Sequence, residues 1–120
     1  MKSFEDLKAW QSAMNLIEEI YLITSTFPKE ETYGITSQVR RSANSIAANI
    51  AEGFGRYTYP DKANKYVIAR GECHEVRAFL LIASRLNFIQ KTDLEKSIQS
   101  LENTGRLLSG LIKACRMKNT

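Results

Sequence analysis

The sequence predicts an all-α protein, folded as an antiparallel up-down-up-down four-helix bundle. Four segments carry apolar residues at spacings of three and four, which is the pattern of a helix that buries one side. Short connections near residues 28–32, 53–58 and 88–91 separate these segments. Because short connections return each helix alongside its predecessor, we expect neighbouring helices to run in opposite directions. The length fits one domain, residues 1–120.

The first predicted helix follows Ser3 and Asp6, which have the spacing of a capping box. It should end near Phe27, because the proline that follows disfavours helical angles in the residue before it. Two apolar rows run side by side along this helix. The first row comprises Leu7, Trp10, Met14, Ile17, Tyr21 and Thr24. The second row comprises Ala9, Ala13, Leu16, Ile20, Ile23 and Phe27.

The second row of the first helix predicts self-association. A four-helix bundle needs one inward row per helix, so the second row is a surplus apolar face. An uncovered face of this kind favours association with another molecule. We therefore predict that the second row is the interface of a homo-oligomer, arranged as a ring.

The second predicted helix begins within residues 29–33 and ends near Glu52 or Gly53. Its central stretch, RRSANSIAANIAEGFGR at residues 40–56, is rich in small residues that let neighbouring backbones approach closely. Gly53 and Gly55 can adopt the positive φ angles that close a helix. A phosphate-binding loop would place its glycines between a strand and a helix, so this stretch does not predict one.

Capping signals also place the third and fourth helices. Thr58 caps the third, with Pro60 in its first turn, and this helix ends near Asn87. Its core row is Tyr66, Ala69, Cys73, Val76, Leu80 and Ala83. In the fourth helix, Thr92 and Glu95 have the spacing of a capping box. Its row contains Leu94, Ile98, Leu101, Gly105, Leu108, Ile112 and Cys115. Within this row, Gly105 either marks a close crossing with another helix or is simply tolerated.

The net charge of +4 is unevenly distributed. Residues 1–39 carry three lysines against six acids, whereas residues 40–120 carry fourteen basic residues, including all eight arginines, against seven acids. This asymmetry points to an acidic partner, RNA or DNA first, and the alternative is a solvated basic face with no partner. The predicted nucleic-acid-binding residues are the densest basic group, which is interleaved with tyrosines. They are Arg40, Arg41, Arg56, Lys62, Lys65 and Arg70.

Asn49 and Glu52 lie one helical turn apart beside the small residues of the second helix. We predict a structural polar network, in which the backbone satisfies Asn49 and Glu52 pairs with Arg41 or an arginine of the third helix. The alternative is that they line a subunit contact or a polar pocket.

The sequence disfavours catalysis and metal binding. A single histidine, no glycine-rich nucleotide loop and no group of catalytic carboxylates point away from an enzyme, and we expect no cofactor. Consecutive helical residues point about 100° apart, so Cys73, His74 and Glu75 cannot share one metal ion. We expect Cys73 and Cys115 to be buried free thiols. The N-terminus lacks a signal peptide and the longest apolar run is far too short to span a membrane, so we expect a cytoplasmic location.

Several stretches resemble a bacterial protein family known from intervening sequences in large-subunit ribosomal RNA genes. The stretches are residues 40–56, the opening FEDLKAWQSAMNL and the later ARGECHEVRAFLLIASRLNFI, so the likeness covers nearly the whole chain. The resemblance implies a ribosomal-protein-like four-helix bundle that assembles into a homopentamer, with no firm biochemical activity. A related accessory variability protein of diversity-generating retroelements forms a similar basic ring that binds nucleic acid and a reverse transcriptase.

These observations predict a non-enzymatic assembly or adaptor module. Its expected partners are other copies of itself and, through its basic residues, RNA or DNA, with a further protein partner as an additional expectation. The alternative is a protein–protein interaction scaffold without nucleic-acid binding.

Overall fold

Four α-helices make up the computed structural model, which describes residues 1–118. They are α1 (Lys8–Thr24), α2 (Ile35–Gly55), α3 (Tyr59–Arg85) and α4 (Lys91–Arg116). Single turns of 3₁₀ helix at Phe4–Asp6 and Lys29–Glu31 precede α1 and α2. No strand occurs within residues 1–118, so the predicted all-α class is confirmed.

The four helices pack around a square. α1 contacts α2 and α4, and α3 also contacts α2 and α4, whereas the diagonal pairs do not pack directly within the described residues. The long helices give the molecule extents of 48 × 24 × 21 Å. Each helix therefore has two buried flanks and an outer side that no other helix covers.

Aliphatic side chains from all four helices fill the centre of the square. The fully buried ones are Leu16, Ile20, Val39, Ile46, Ile50, Val76, Leu80 and Leu108. Each contributes about 1.5–3 kcal/mol by leaving water. All six residues of the predicted α3 row are buried, which confirms that row.

The second apolar row of α1 is buried in the protomer, whereas the first row is buried only at its ends, at Leu7 and Thr24. Five residues of the second row are at most 7% exposed, namely Ala9, Ala13, Leu16, Ile20 and Phe27, and Ile23 is partly exposed. Met14 and Tyr21 of the first row are 37% and 39% exposed. The second row is thus the core of the protomer, and its assignment as a subunit interface is wrong. Periodicity detects both rows, but the positions of α2 and α4 decide which row points inward.

Local capping explains the other differences at the helix ends. Thr58 accepts a hydrogen bond from the Asp61 amide, as predicted for α3. The Ser3–Asp6 capping box exists, but it closes the short 3₁₀ turn rather than α1. Gln90 is the N-cap of α4, so the predicted capping box at Thr92 lies inside the helix.

An asparagine, rather than a glycine, takes the left-handed conformation that ends a helix. Asn87 has a φ of 61° after α3, and the Phe88 amide donates to the Ala83 carbonyl oxygen over 2.8 Å. No glycine within residues 1–118 has a positive φ. Gly53 and Gly55 both belong to α2, so the prediction that they close it by positive φ is wrong.

Gly53 is required by a close approach of α2 to α3. A Cβ at this position would lie 2.7 Å from Cε1 of Tyr66, whose side chain is only 3% exposed. A Cβ at Gly105 would meet nothing within 4 Å, so the close crossing considered there does not occur.

Replacing Gly53 by alanine should destabilise the protein by about 1–3 kcal/mol, because the buried Tyr66 ring must move to admit the methyl group. The matched control is Gly105→Ala, which should stabilise α4 by up to about 1 kcal/mol, since the methyl group meets open space. Urea unfolding followed by circular dichroism measures both values. Equal stability of the two variants would show that the α2–α3 approach tolerates a larger residue.

Candidate functional site

The six predicted nucleic-acid-binding residues do not form one surface. Arg40 lies between α1 and α2, where its Nε donates to Thr24 Oγ1 over 2.8 Å and its guanidinium lies 4.5 Å from the Tyr21 ring centroid. Arg70 lies between α3 and α4 and donates to Ser109 Oγ over 3.2 Å. The other four lie along α2 and the beginning of α3, namely Arg41, Arg56, Lys62 and Lys65.

The four cations along α2 and α3 already have partners within the protomer. Arg41 pairs with Glu75. Arg56 pairs with Glu52, whose Oε1 also lies 3.3 Å from Lys65 Nζ. Lys62 Nζ donates to the Phe54 carbonyl oxygen over 2.6 Å. Three of these four cations therefore lie within 4.0 Å of a carboxylate, although Arg56 and Lys65 share that of Glu52, and this pairing weakens the group as a phosphate-binding surface.

The predicted network at Asn49 and Glu52 forms only in part. Asn49 Nδ2 donates to the Ser45 carbonyl oxygen over 2.9 Å, so backbone does satisfy this amide. Glu52 is exposed and pairs with Arg56 and Lys65 rather than with Arg41 or an arginine of α3. Hydrogen bonds from Arg56 and Lys65 lower the pKa of Glu52. The two residues thus belong to separate contacts.

A polar cluster between α2 and α3, which the sequence did not reveal, contains a carboxylate oxygen with no hydrogen bond. Ser42 Oγ, which is fully buried, lies 2.8 Å from Glu75 Oε1. Glu72 Oε2 is buried without a hydrogen-bond partner, and Arg41 Nη1 lies 3.8 Å from it. Burial first, and the neighbouring carboxylate of Glu75 second, raise the pKa of Glu72. The cluster unites residues more than thirty positions apart, so local spacing could not have found it.

A second polar interface joins α1 to α4. Ser12 Oγ lies 2.7 Å from Thr104 Oγ1, and Ser100 donates to Glu19 Oε2 over 2.9 Å. Above these contacts runs a groove whose lining charges include both Lys8 and Glu19. The mixture of signs gives this groove no net preference for an anion.

Basic side chains gather between α3 and α4. Arg70, His74 and Arg77 line a small cleft there. Arg116 and Lys118 line the neighbouring cleft beside the N-terminal end of α3. We call these five residues the α3–α4 basic face. None of its arginines or its lysine has a carboxylate within 4.0 Å in the described part of the chain.

Sequence reasoning found one member of the α3–α4 basic face, Arg70. A usable signal was present, because Glu102 is the last acidic residue of the sequence and four basic residues follow it. The prediction relied on how closely basic residues follow one another in the sequence, and this spacing is closest near Arg56. Density in space depends on which helices are neighbours.

An exposed apolar row follows the outer side of α3. Ile68, Ile82 and Leu86 are 40%, 47% and 54% exposed, and they share one side of the helix with the small Gly71 and Ala78. Glu75 lies in the same row between Gly71 and Ala78 and pairs with Arg41, so the apolar surface is concentrated at the C-terminal end of the row. Leu81, beside this row, is 47% exposed. We call Ile68, Gly71, Ala78, Ile82 and Leu86 the α3 outer row. The surplus apolar surface that the sequence argument placed on α1 is thus most extensive on α3.

The two thiols do not form a reactive site. Both are buried and free, as predicted. Burial raises the pKa of Cys73 to about 12, so this thiol stays protonated at neutral pH and is a poor nucleophile. Residues 1–118 contain no group of three or more potential metal-ligating side chains. Within the same range, every helix is too short or too polar to cross a membrane.

Replacing Glu72 by glutamine should stabilise the protein at neutral pH. The folded-state pKa of Glu72 lies above the ordinary value of 4.5, so the wild type loses stability as the pH rises from that value through the folded-state pKa. Glutamine removes this loss. The gain over wild type should be near zero below the ordinary pKa and largest at neutral pH.

Urea unfolding at a series of pH values measures this gain. Glu18→Gln, at an exposed position on α1, controls for the change in net charge. A stability difference for Glu72→Gln that does not change with pH would contradict the assignment.

A solved structure shares this fold. It is the 1.70 Å crystal structure of a protein of unknown function from the S23 ribosomal protein family of Bacteroides thetaiotaomicron VPI-5482. The TM-score is 0.81, with 24% sequence identity over 88% of this chain and 95% of that chain. At this identity the likeness establishes a common fold.

No curated protein sequence matches the chain. Residues 5–110 match the family model described as 23S rRNA-intervening sequence protein. The matched segment runs from the 3₁₀ turn before α1 into the second half of α4, and so includes most of the bundle. The chain therefore belongs to the 23S rRNA-intervening sequence protein family.

Proposed function

We propose that the protein is a non-enzymatic assembly module whose subunits associate through the α3 outer row. The exposed apolar surface of α3 carries this proposal. Ile82 and Leu86 each leave about half of their surface in water within the protomer. Together with Leu81 they form an exposed apolar patch at the C-terminal end of α3, and exposed patches of this kind mark interaction surfaces in soluble proteins. The small residues Gly71 and Ala78 in the same row would allow a partner helix to approach closely.

A second apolar face, on the opposite side of the bundle, supports assembly into a ring. The first row of α1 includes Met14 and Tyr21, which are more than one-third exposed, and the partly buried Trp10 and Ile17. α1 and α3 are diagonal partners in the square. A contact between two unlike faces is heterologous. It yields a closed ring when repeated rotation from one subunit to the next returns to the first subunit. The resemblance to homopentameric relatives, including the accessory protein of diversity-generating retroelements, sets the proposed subunit number at five.

The proposed bundle is antiparallel, with up-down-up-down connections. Residue numbers of contacting pairs support this direction, because they rise along one helix and fall along its neighbour. Ser12 contacts Thr104, whereas Glu19 contacts Ser100. Arg41 pairs with Glu75, whereas Gly53 approaches Tyr66. In this arrangement the outer side of α3 is a straight face about 40 Å long at 1.5 Å per residue.

Nucleic-acid binding is the second candidate function. The observation that favours it is the α3–α4 basic face, whose arginines and lysine have no carboxylate partner within the described residues. Repetition of this face around a ring would increase avidity. The remaining alternative is a scaffold that binds only proteins. In each case we propose a cytoplasmic location.

The double substitution Leu81→Glu and Ile82→Glu should convert an assembled protein to a folded monomer. A carboxylate buried at a subunit interface costs free energy, so the two substitutions should prevent association. Both positions are about half-exposed in the protomer, so the fold should tolerate the change. Light scattering coupled to size-exclusion chromatography should give several copies of the 13.6 kDa chain for the wild type and one copy for the variant. Circular dichroism checks that the helices remain.

The matched control is Leu22→Glu, because Leu22 is 73% exposed and lies on α1 outside both apolar rows. It should leave the mass unchanged. A monomeric wild type, or a double variant that stays assembled, would rule out assembly through α3.

A further inference from the structure

We infer that the α3–α4 basic face is a binding site for the phosphate backbone of a nucleic acid. This inference rests on the second candidate function above and assigns it to a surface that largely excludes the basic residues predicted from sequence. The five residues of the face are Arg70, His74, Arg77, Arg116 and Lys118. The inference stands on where these basic residues lie, on the lack of a carboxylate within 4.0 Å of the arginines and the lysine in residues 1–118, and on the aromatic ring at one end.

The cations occupy two consecutive clefts along one pair of helices. Arg70 borders the first cleft and Val67, one turn earlier on α3, borders the second. From Tyr59 to Arg77 the face extends about 27 Å at 1.5 Å per residue. A groove of this length matches the lower part of the range of about 4–16 nucleotides that single-strand-binding folds cover. The first cleft carries Arg70 and Arg77 on its α3 wall, and the second carries Arg116 and Lys118 on its α4 side. A strand that follows both clefts therefore meets both pairs.

The charges of this face are available to a ligand. Arg70 is held by the neutral hydroxyl of Ser109, which orients its guanidinium without neutralising it. By contrast, Arg41 and Lys65 on the α2–α3 side lie within 4.0 Å of carboxylates. Among residues 1–118, Glu102 is the one acid that lines either cleft. Binding driven by counterion release requires cations that are not already paired, so the α3–α4 side is favoured.

An aromatic ring ends the face near the N-terminus of α3. Lys118 Nζ lies 5.6 Å from the Tyr59 ring centroid, and Tyr59 lines the second cleft. Tyr57, two residues earlier, is 97% exposed. Rings beside a basic groove can stack unpaired bases, which favours a single strand over a duplex. Arginine guanidinium groups also bind phosphate oxygens in a bidentate geometry.

Fluorescence anisotropy with a labelled single-stranded RNA of about 20 nucleotides tests this site. We expect wild-type binding that weakens steeply between about 50 and 200 mM salt. Two variants remove two charges each, Arg70→Gln with Arg77→Gln, and Arg116→Gln with Lys118→Gln. Each should weaken binding about tenfold at the lower salt and reduce the log–log salt slope by about 1.4, or 0.7 for each lost phosphate contact.

The matched control is Lys29→Gln with Lys91→Gln, which removes two exposed charges before α2 and at the start of α4. It should weaken binding less than about twofold if contacts rather than net charge decide affinity. Thermal unfolding checks all three variants. The pair at Arg116 and Lys118 lies at exposed positions at the end of α4, so it tests the face even where substitution of Arg70 disturbs packing.

Several outcomes would overturn the inference: no wild-type binding at the lower salt, an equal loss in the control, or equal competition by unlabelled RNA and polyglutamate. The last result would identify an acidic-protein surface. Light scattering on the same samples separates this inference from the proposed assembly. An oligomer that binds no RNA contradicts the basic face alone, whereas a monomer that binds RNA through these residues contradicts assembly alone.

Discussion

The close approach of α2 to α3 is the contact on which the rest of the structure depends. Gly53 leaves just enough room for the buried ring of Tyr66, and the fully buried Ser42 continues the same narrow contact further along α2. Any larger side chain at Gly53 would meet the Tyr66 ring and force it to move. Because α3 also packs on α4, the position of α3 sets the shape of the polar cluster between α2 and α3 and of the α3–α4 basic face.

Tight packing of α2 on α3 also explains the buried carboxylate there. Glu72 lies where the two helices are too close for water to reach its Oε2, and Arg41 approaches without forming a hydrogen bond to that atom. The burial of one charged group next to Glu75 works against stability at neutral pH. The contacts of Arg41 with Glu72 and Glu75 restrict how α2 can slide along α3, because a shift between the helices would take Arg41 away from these two acids.

α3 combines three surfaces on one helix. Its inner row fills the core, its outer row is apolar, and its flank toward α4 carries Arg70 and Arg77. An apolar outer row and a basic flank next to each other would let one helix contribute both to assembly and to ligand binding. Sites on a long packed helix are held more rigidly than sites on loops.

The sequence alone determined what depends on near neighbours in the chain. Apolar spacing and the Thr58 cap located the four helices and the buried row of α3, because these signals act within a few turns. The tertiary structure decided which row of α1 faces inward, why Gly53 is required, and which cations remain unpaired. Those properties depend on helices that meet from distant parts of the chain. Both apolar rows of α1 look equivalent until α2 and α4 cover one of them, and Arg70 differs from Arg41 only through the groups that neighbouring helices bring to each.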